Sequence, residues 1–205
     1  MNSKRKAALI RGVGLCSLLV VALPASAHIS VMHSVGGFEA GLMHPLTGLD
    51  HLLAMLAVGM WAAKNPRPAQ WLLPVVFPLL MALGALAGIS GLIVPGIEAG
   101  IAASVLVLGL CIALTVRMPV SASVGLVALF AAAHGYAHGV ELPAGASGAW
   151  FSVGFLLATI GLHAVGFFAT RSLSQMTSSK QANTVYRGIG AAIAMMGVYF
   201  FSTLA

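Results

Sequence analysis

Charged side chains are scarce in this chain. Asp, Glu, Lys and Arg together make up 7% of its 205 residues, and only four of them are acidic. An ordinary soluble domain has about 25% charged residues. Hydrophobic residues make up 60% of the chain, and the mean hydropathy is +1.01. Because so little polar surface cannot cover a particle in water, the sequence predicts an integral membrane protein whose surface mostly faces lipid.

Cysteine is nearly absent as well. The chain has two cysteines, Cys16 and Cys111, and Cys16 lies in an N-terminal segment that we expect to be removed. The mature chain would then form no intramolecular disulfide. The same scarcity argues against a thiolate metal site.

The positive net charge does not indicate nucleic-acid binding. The formal charge is +6, but four of the ten basic residues precede the first apolar run, and the other six are scattered singly. No basic patch is present that could follow a phosphate backbone, so we exclude a nucleic-acid partner. A P-loop motif is also missing, so we do not expect the chain to hydrolyse ATP.

The first 27 residues have the pattern of a cleavable signal peptide. A basic start is followed by an apolar run of 12 residues from Gly12 to Leu23, and then by Ala25-Ser26-Ala27. That run is too short to span about 30 Å of hydrocarbon, and Ala-x-Ala is a typical cleavage site. We predict removal of residues 1–27, which leaves residues 28–205 as a single transmembrane helical domain. An uncleaved signal anchor is the alternative.

Six apolar segments follow, each long enough to cross a bilayer at about 1.5 Å per residue. The sequence therefore predicts an all-α integral membrane protein, a bundle of about six transmembrane helices. We expect Pro74 and Pro78 to kink the second helix. Two glycine pairs with four-residue spacing, 84/88 and 96/100, predict close helix approach. The predicted segments are 42–63, 70–93, 97–116, 119–139, 148–170 and 186–204.

The basic residues of the mature chain predict its orientation. Five of them fall between segments one and two, three and four, or five and six, and Arg187 lies at the start of segment six, beside the last of these connections. The other two connections contain no Lys or Arg. The positive-inside rule assigns the basic connections to the cytoplasm. We therefore expect a multi-pass protein of the bacterial inner membrane with both mature termini in the periplasm. The basic residues are Lys64, Arg67, Arg117, Arg171, Lys180 and Arg187.

Ionisable residues inside the predicted helices are the candidates for function, because such groups are costly in a membrane. In the fourth segment, His134, His138 and Glu141 fall within roughly 60° on one helical face. In the first segment, His44 and His51 are seven residues apart and would also share a face, provided that Pro45 starts the helix or bends it only gently.

Other polar residues extend this set. Asp50 projects from another face and would either orient an imidazole of a neighbouring helix or bind metal itself. His28 and His33 lie on the same outer side as the four helical histidines, and a terminal His28 would chelate through its amine and imidazole together. His163 lies alone in the cytoplasmic half of segment five, where it is either a lower station on an ion path or a hydrogen-bonded bridge between helices.

Imidazole and carboxylate ligands suit Ni, Co, Zn or Cu(II). A single buried histidine is usually a packing residue, but four histidines from two helices at overlapping depths favour a metal site. A transporter of a divalent transition metal fits best. An intramembrane zinc-dependent hydrolase would need a similar site, but His-Glu-x-x-His is absent, and no serine or other obvious group accompanies the cluster in a catalytic role. A non-transporting metal-handling membrane subunit is the third interpretation.

Two motifs also resemble a known family. The run from His44 to His51, HPLTGLDH, is followed by Leu-Leu-Ala-Met and a Val-Gly pair, and the run from Ala133 to Glu141 reads AHGYAHGVE. Both resemble the histidine motifs of the HupE/UreJ family, and the resemblance extends over essentially the whole chain. It implies a nickel permease for hydrogenase or urease maturation, with cobalt uptake in some relatives.

The resemblance also implies a ligand set and a group of partners. No prosthetic group is expected, because nickel would be the cargo. Cytoplasmic nickel chaperones or metalloenzyme maturation proteins would receive the metal, and membrane lipid surrounds the chain. The metal-motif residues map onto His44, Asp50, His51, His134, His138 and Glu141.

Overall fold

The computed structural model describes residues 37–142, 145 and 147–204. The predicted signal peptide and the two N-terminal histidines, His28 and His33, lie outside these residues. The described residues form seven helices and no strand, which confirms the all-α prediction. The helices are α1 (Gly37–Thr47), α2 (Leu49–Lys64), α3 (Ala69–Ile89), α4 (Ile97–Ala113), α5 (Val120–Val140), α6 (Gly148–Met176) and α7 (Ser179–Ser202).

Four helices of the described part, α3, α5, α6 and α7, are long and apolar enough to cross a membrane by themselves. The bent pair of α1 and α2 passes the same test when taken together, as a fifth span. Helix α4 has 17 residues, which is the lower limit for a crossing. All six apolar segments are therefore helical, while the count of six crossings stays a prediction.

Large apolar side chains cover the outside of the bundle. On α3, Val75, Leu79, Leu83 and Leu86 recur every three or four residues, and each is more than half exposed. This spacing places them on one face of the helix. A continuous apolar stripe of this kind is unfavourable in water but is the ordinary surface of a helix in lipid.

Helix α2 lies in the centre of the bundle. It contacts α3, α4, α6 and α7, and Met55, Val58 and Trp61 along it are almost completely buried. Trp61 Nε1 donates to the carbonyl oxygen of Val116 at 3.1 Å, which ties the end of α2 to the α4–α5 connection.

Glycines bring α3 and α5 into backbone contact. A Cβ added at Gly135 would overlap the backbone carbonyl of Met81, and one added at Gly84 or Gly88 would overlap backbone atoms of α5 in the same way. Close contact of this type stabilises helix pairs in lipid, where the hydrophobic effect gives no help. The close approach predicted at Gly84 and Gly88 is confirmed.

The second glycine pair has another role. Gly96 precedes α4 with φ of 73°, a conformation that side chains disfavour, and nothing lies near its missing Cβ. A Cβ at Gly100 would make an ordinary contact, at 3.6 Å from the Cβ of Ala133. The prediction of close helix approach at Gly96 and Gly100 is therefore wrong.

The first predicted segment is two helices. Helix α1 begins at residue 37, before the predicted start at 42, and the chain turns by 79° between α1 and α2. Gly48 at the corner is extended, with φ of −81° and ψ of 111°. Pro45 lies inside α1, and the Thr47 hydroxyl lies 3.0 Å from the carbonyl oxygen of His44, which helps to end the helix. The interpretation that His44 and His51 share a helical face was wrong, because they belong to different helices.

Helices α6 and α7 extend beyond the apolar segments that predicted them. The sequence ended segment five at 170 and began segment six at 186, but only residues 177 and 178 separate the two helices. Ser178 and Gln181 form a capping box that begins α7. The last turns of α6 and the first turns of α7 are polar, so a prediction from hydropathy does not include them. The connection between segments five and six is therefore mostly helical.

Candidate metal centre

Three buried histidines meet where α2, α4 and α5 come together. One ring nitrogen each of His51, His134 and His138 lies within 4.8 Å of the other two. The centre of the His51 ring is 4.8 Å from that of the His134 ring and 4.3 Å from that of the His138 ring. All three side chains are buried. We call these three residues the inner cluster.

A second group lies beside it and reaches the surface. His44, His138 and Glu141 also have ligand atoms within 4.8 Å of one another, and we call them the outer cluster. His44 Nε2 is 3.2 Å from Glu141 Oε2, and the Glu141 side chain is 51% exposed. The hydrogen bond from His44 lowers the pKa of the Glu141 carboxyl, which follows the last residue of α5. His138 belongs to both clusters and joins them.

The position of α5 explains why its histidines point inward. Gly135 and Gly139 each follow a histidine directly, and both pack on the backbone of α3. Successive residues on a helix point about 100° apart. With the glycine face fixed against α3, His134 and His138 point toward α1 and α2.

The chain turn at Gly48 supplies the other histidines. His44 lies near the end of α1, and His51 lies in the first turn of α2 after the corner. Their ring centroids are 6.0 Å apart. A straight helix would place these residues about 10 Å apart along its axis, whereas the corner brings both against α5.

Asp50 holds the ring of its own sequence neighbour. Its Oδ1 lies 2.5 Å from His51 Nδ1 and also accepts from the His51 backbone N–H at 2.7 Å. The carboxylate therefore keeps the proton on Nδ1 and leaves Nε2 of His51 with a free lone pair. A carboxylate behind an imidazole fixes its tautomer and raises its basicity as a ligand. Of the two roles that the sequence left open for Asp50, the orienting one concerns the imidazole of the next residue and not that of a neighbouring helix, while metal binding by Asp50 stays a prediction.

Ser104 of α4 holds the ring of His134 in a similar way. Its hydroxyl donates to the carbonyl oxygen of Ile101 at 2.7 Å, so its oxygen accepts from His134 Nε2, also at 2.7 Å. This leaves Nδ1 of His134 as the free nitrogen. This contact with His134 could not be predicted from the sequence. The available signal was a single serine in the apolar stretch from Ile101 to Ala113 of α4.

The nitrogen atoms that face the centre have no hydrogen-bond partner among the described residues. They are Nε2 of His51, Nδ1 of His134 and both ring nitrogens of His138. A buried polar atom without a partner costs about 1–3 kcal/mol, so several together require an explanation. Lone pairs converging from three imidazoles, with carboxylates nearby, suit a borderline divalent ion such as Ni²⁺ or Co²⁺.

His163 belongs to neither cluster. Its Nδ1 lies 3.4 Å from the carbonyl oxygen of Pro74, which would normally accept from residue 78 of the same helix. Pro78 has no N–H, so the histidine of α6 donates instead. The Phe77 ring contacts both His163 and the inner cluster: its centre is 5.1 Å from that of the His163 ring and 5.9 Å from that of the His134 ring. The hydrogen-bonded bridge that the sequence left open is present.

Comparison with known proteins agrees with the two motifs. The model of the family described as HupE / UreJ protein matches residues 16–200. Protein HupE of Rhizobium leguminosarum bv. viciae is 39% identical over 181 residues, which are 88% of this chain and 93% of that protein. No solved structure matches the chain.

Proposed function

This chain belongs to the HupE/UreJ family, and on that premise we propose that it carries a divalent transition metal into the cell. Nickel is the first candidate and cobalt the second, and the client would be a hydrogenase or a urease. The ion enters from the periplasm at Glu141 and His44, passes to His138, and reaches His51 and His134. Cytoplasmic maturation proteins would receive it.

The observation that supports this proposal is the continuity of the ligands from surface to interior. The outer cluster has an exposed carboxylate, the inner cluster is buried, and one histidine is common to both. A dication leaves water only where ligands replace its hydration shell. A series of open N/O sites also lets the ion leave again, whereas a closed cage would retain it. The membrane potential favours entry of a dication by about 4.6 kcal/mol per 100 mV.

Uptake of radioactive nickel tests the function directly. Cells that express this chain alone should accumulate nickel in a saturable way, and excess Co²⁺ should compete. Cells that carry the empty vector provide the baseline. If the chain is abundant in the membrane and uptake equals that baseline, the chain is not a transporter, and the non-transporting metal-handling subunit becomes the better interpretation.

We propose that the chain is not an enzyme. A zinc hydrolase would need a nucleophile or a general base facing the metal. Ser104 lies on the Nε2 side of His134, away from the free Nδ1, and its proton goes to a backbone carbonyl. Asp50 is engaged by His51. These two contacts leave neither group in a catalytic position.

The topology is a second testable proposal. With residues 1–27 removed and six crossings, the C-terminus lies in the periplasm, where alkaline phosphatase folds. A C-terminal phosphatase fusion should therefore be active, and N-terminal sequencing should begin at His28. An active cytoplasmic reporter at the same position would show that α4 or the bent pair of α1 and α2 does not cross.

Substitutions behind the imidazoles should weaken metal affinity without removing a ligand. Asp50→Asn and Ser104→Ala should each raise the nickel concentration for half-maximal uptake by about 10–100-fold, since each frees a ring that is now fixed. High external nickel should restore the rate. Ser123→Ala is the matched control, because Ser123 is equally buried and contacts no histidine of the clusters. An unchanged half-saturation for both variants would contradict the orienting role.

A further inference from the structure

Within the part of the chain that the structure describes, the acidic and basic residues lie at opposite ends of the helices. The four carboxylates of the whole sequence are Glu39, Asp50, Glu98 and Glu141. Three of them lie in the first turn of α1, α2 or α4, and the fourth follows α5. The basic side chains at the other end of the bundle therefore have no acidic residue near them.

Three of those basic residues converge on one pocket. Lys64 at the end of α2, Arg117 in the α4–α5 connection and Arg171 in the last part of α6 line a pocket of about 430 Å³. Asn65 and Ser174 line it as well. The positive-inside rule explains why basic residues occur in these connections, but it does not require three of them to share a cavity.

Neutral groups hold two of these cations in place. Lys64 Nζ donates to Ser174 Oγ at 3.3 Å and lies 5.3 Å from the centre of the Tyr186 ring. The Arg171 guanidinium lies 5.8 Å from the centre of the Phe167 ring. Aromatic faces and a hydroxyl position the cations but do not cancel their charge. Since neither ion pair of the described residues involves Lys64, Arg117 or Arg171, the pocket keeps three uncompensated positive charges.

We propose that this pocket binds a phosphate group, and that the headgroup of an anionic phospholipid supplies it. Two guanidinium groups and an ammonium around one cavity match a phosphate, because arginine donates two parallel N–H bonds to it. Basic pockets between helices on the cytoplasmic side are typical sites for anionic headgroups. Lys64 and Arg171 lie where apolar helices become polar, which is the depth of the headgroups. The pocket is separate from the metal centre, and its occupancy does not depend on the proposed transport.

The test measures lipid binding by the purified full-length chain in detergent. Phosphatidylglycerol should remain bound in native mass spectrometry and raise the unfolding temperature, whereas phosphatidylcholine should do neither. The double variant Arg117→Gln/Arg171→Gln should bind phosphatidylglycerol about 25-fold more weakly, at roughly fivefold for each cation removed. Lys180→Gln is the matched control, since Lys180 is an exposed basic residue of α7 outside the pocket lining.

Two further measurements separate lipid binding from binding of a soluble anion and from a folding defect. Inorganic phosphate added in excess should compete with the lipid, and if phosphate alone stabilises the chain as much as the lipid does, the pocket is a phosphate site that soluble anions fill. Arg117→Lys/Arg171→Lys keeps the charge and should retain part of the affinity, even if the glutamine variant folds poorly. Equal binding of both lipids, or equal loss in the double variant and in Lys180→Gln, would overturn the proposal.

Discussion

Replacing His138 with alanine should reduce nickel uptake to the level of cells that lack the chain. His138 is the residue common to the inner and outer clusters, so its loss interrupts the series of ligands at its middle. Both of its ring nitrogens lack a hydrogen-bond partner among the described residues, so the substitution breaks no hydrogen bond between His138 and these residues. His51→Ala should have the same effect, because it removes one of the three histidines of the inner cluster. Membrane abundance should be unchanged, and the measurement is radioactive nickel uptake per amount of chain.

The control for this experiment is His163→Ala. His163 is as buried as His138, so its replacement measures the general cost of removing a buried imidazole from the bundle. It lies in neither cluster and bridges two helices through Pro74, so uptake should fall less than in the His138 variant. If His51→Ala and His138→Ala both transport normally, the shared site does not exist, and the metal hypothesis fails with it.

Gly135→Ala should reduce both the stability and the activity of the chain. The new Cβ would overlap the backbone of α3 at Met81, and a backbone atom cannot rotate away as a side chain can. The two helices would have to separate, and overpacking of this kind costs about 1–3 kcal/mol, occasionally more. Because His134 and His138 lie on either side of Gly135 on α5, separation of the helices also moves two histidines of the inner cluster. The unfolding temperature in detergent and nickel uptake should both fall.

Gly125→Ala is the matched substitution on the same helix. A Cβ at Gly125 meets nothing within 4 Å, so it should leave the unfolding temperature unchanged or raise it slightly, since alanine favours helix over glycine. A Gly135 variant as stable and as active as the Gly125 variant would show that the backbone contact between α3 and α5 is not required.

The inner and outer clusters show how far local sequence reasoning extends. The face shared by His134 and His138 follows from helical periodicity within α5, and the structure brings both side chains into one cluster. The same reasoning failed for His44 and His51, since a proline and a glycine between them allowed a corner that periodicity does not describe. His44 and His51 still lie close together, but the reason is the turn of the chain between α1 and α2 and not a shared helical face.

Ser104 was missed for a different reason. Its role depends on a contact with His134, thirty residues away on another helix. Nothing within α4 indicates which neighbour a buried hydroxyl will meet. The same holds for Pro74. The proline at position 78 predicts that the carbonyl of Pro74 lacks its usual helical donor, but the sequence does not show that His163 of α6 takes that place.

By itself the sequence determined that the chain is helical and apolar enough for a membrane, and it singled out the histidines and carboxylates that we propose as metal ligands. Composition is a property of the whole chain, and periodicity is a property of a single helix, so both can be read without knowing how the helices pack. Only the tertiary structure decided which histidines meet, which hydroxyl lies behind them, and that three cations share one pocket. Those contacts depend on how closely the helices approach, and glycines allow a close approach because they have no side chain. A single sequence does not show which helix packs against a given glycine.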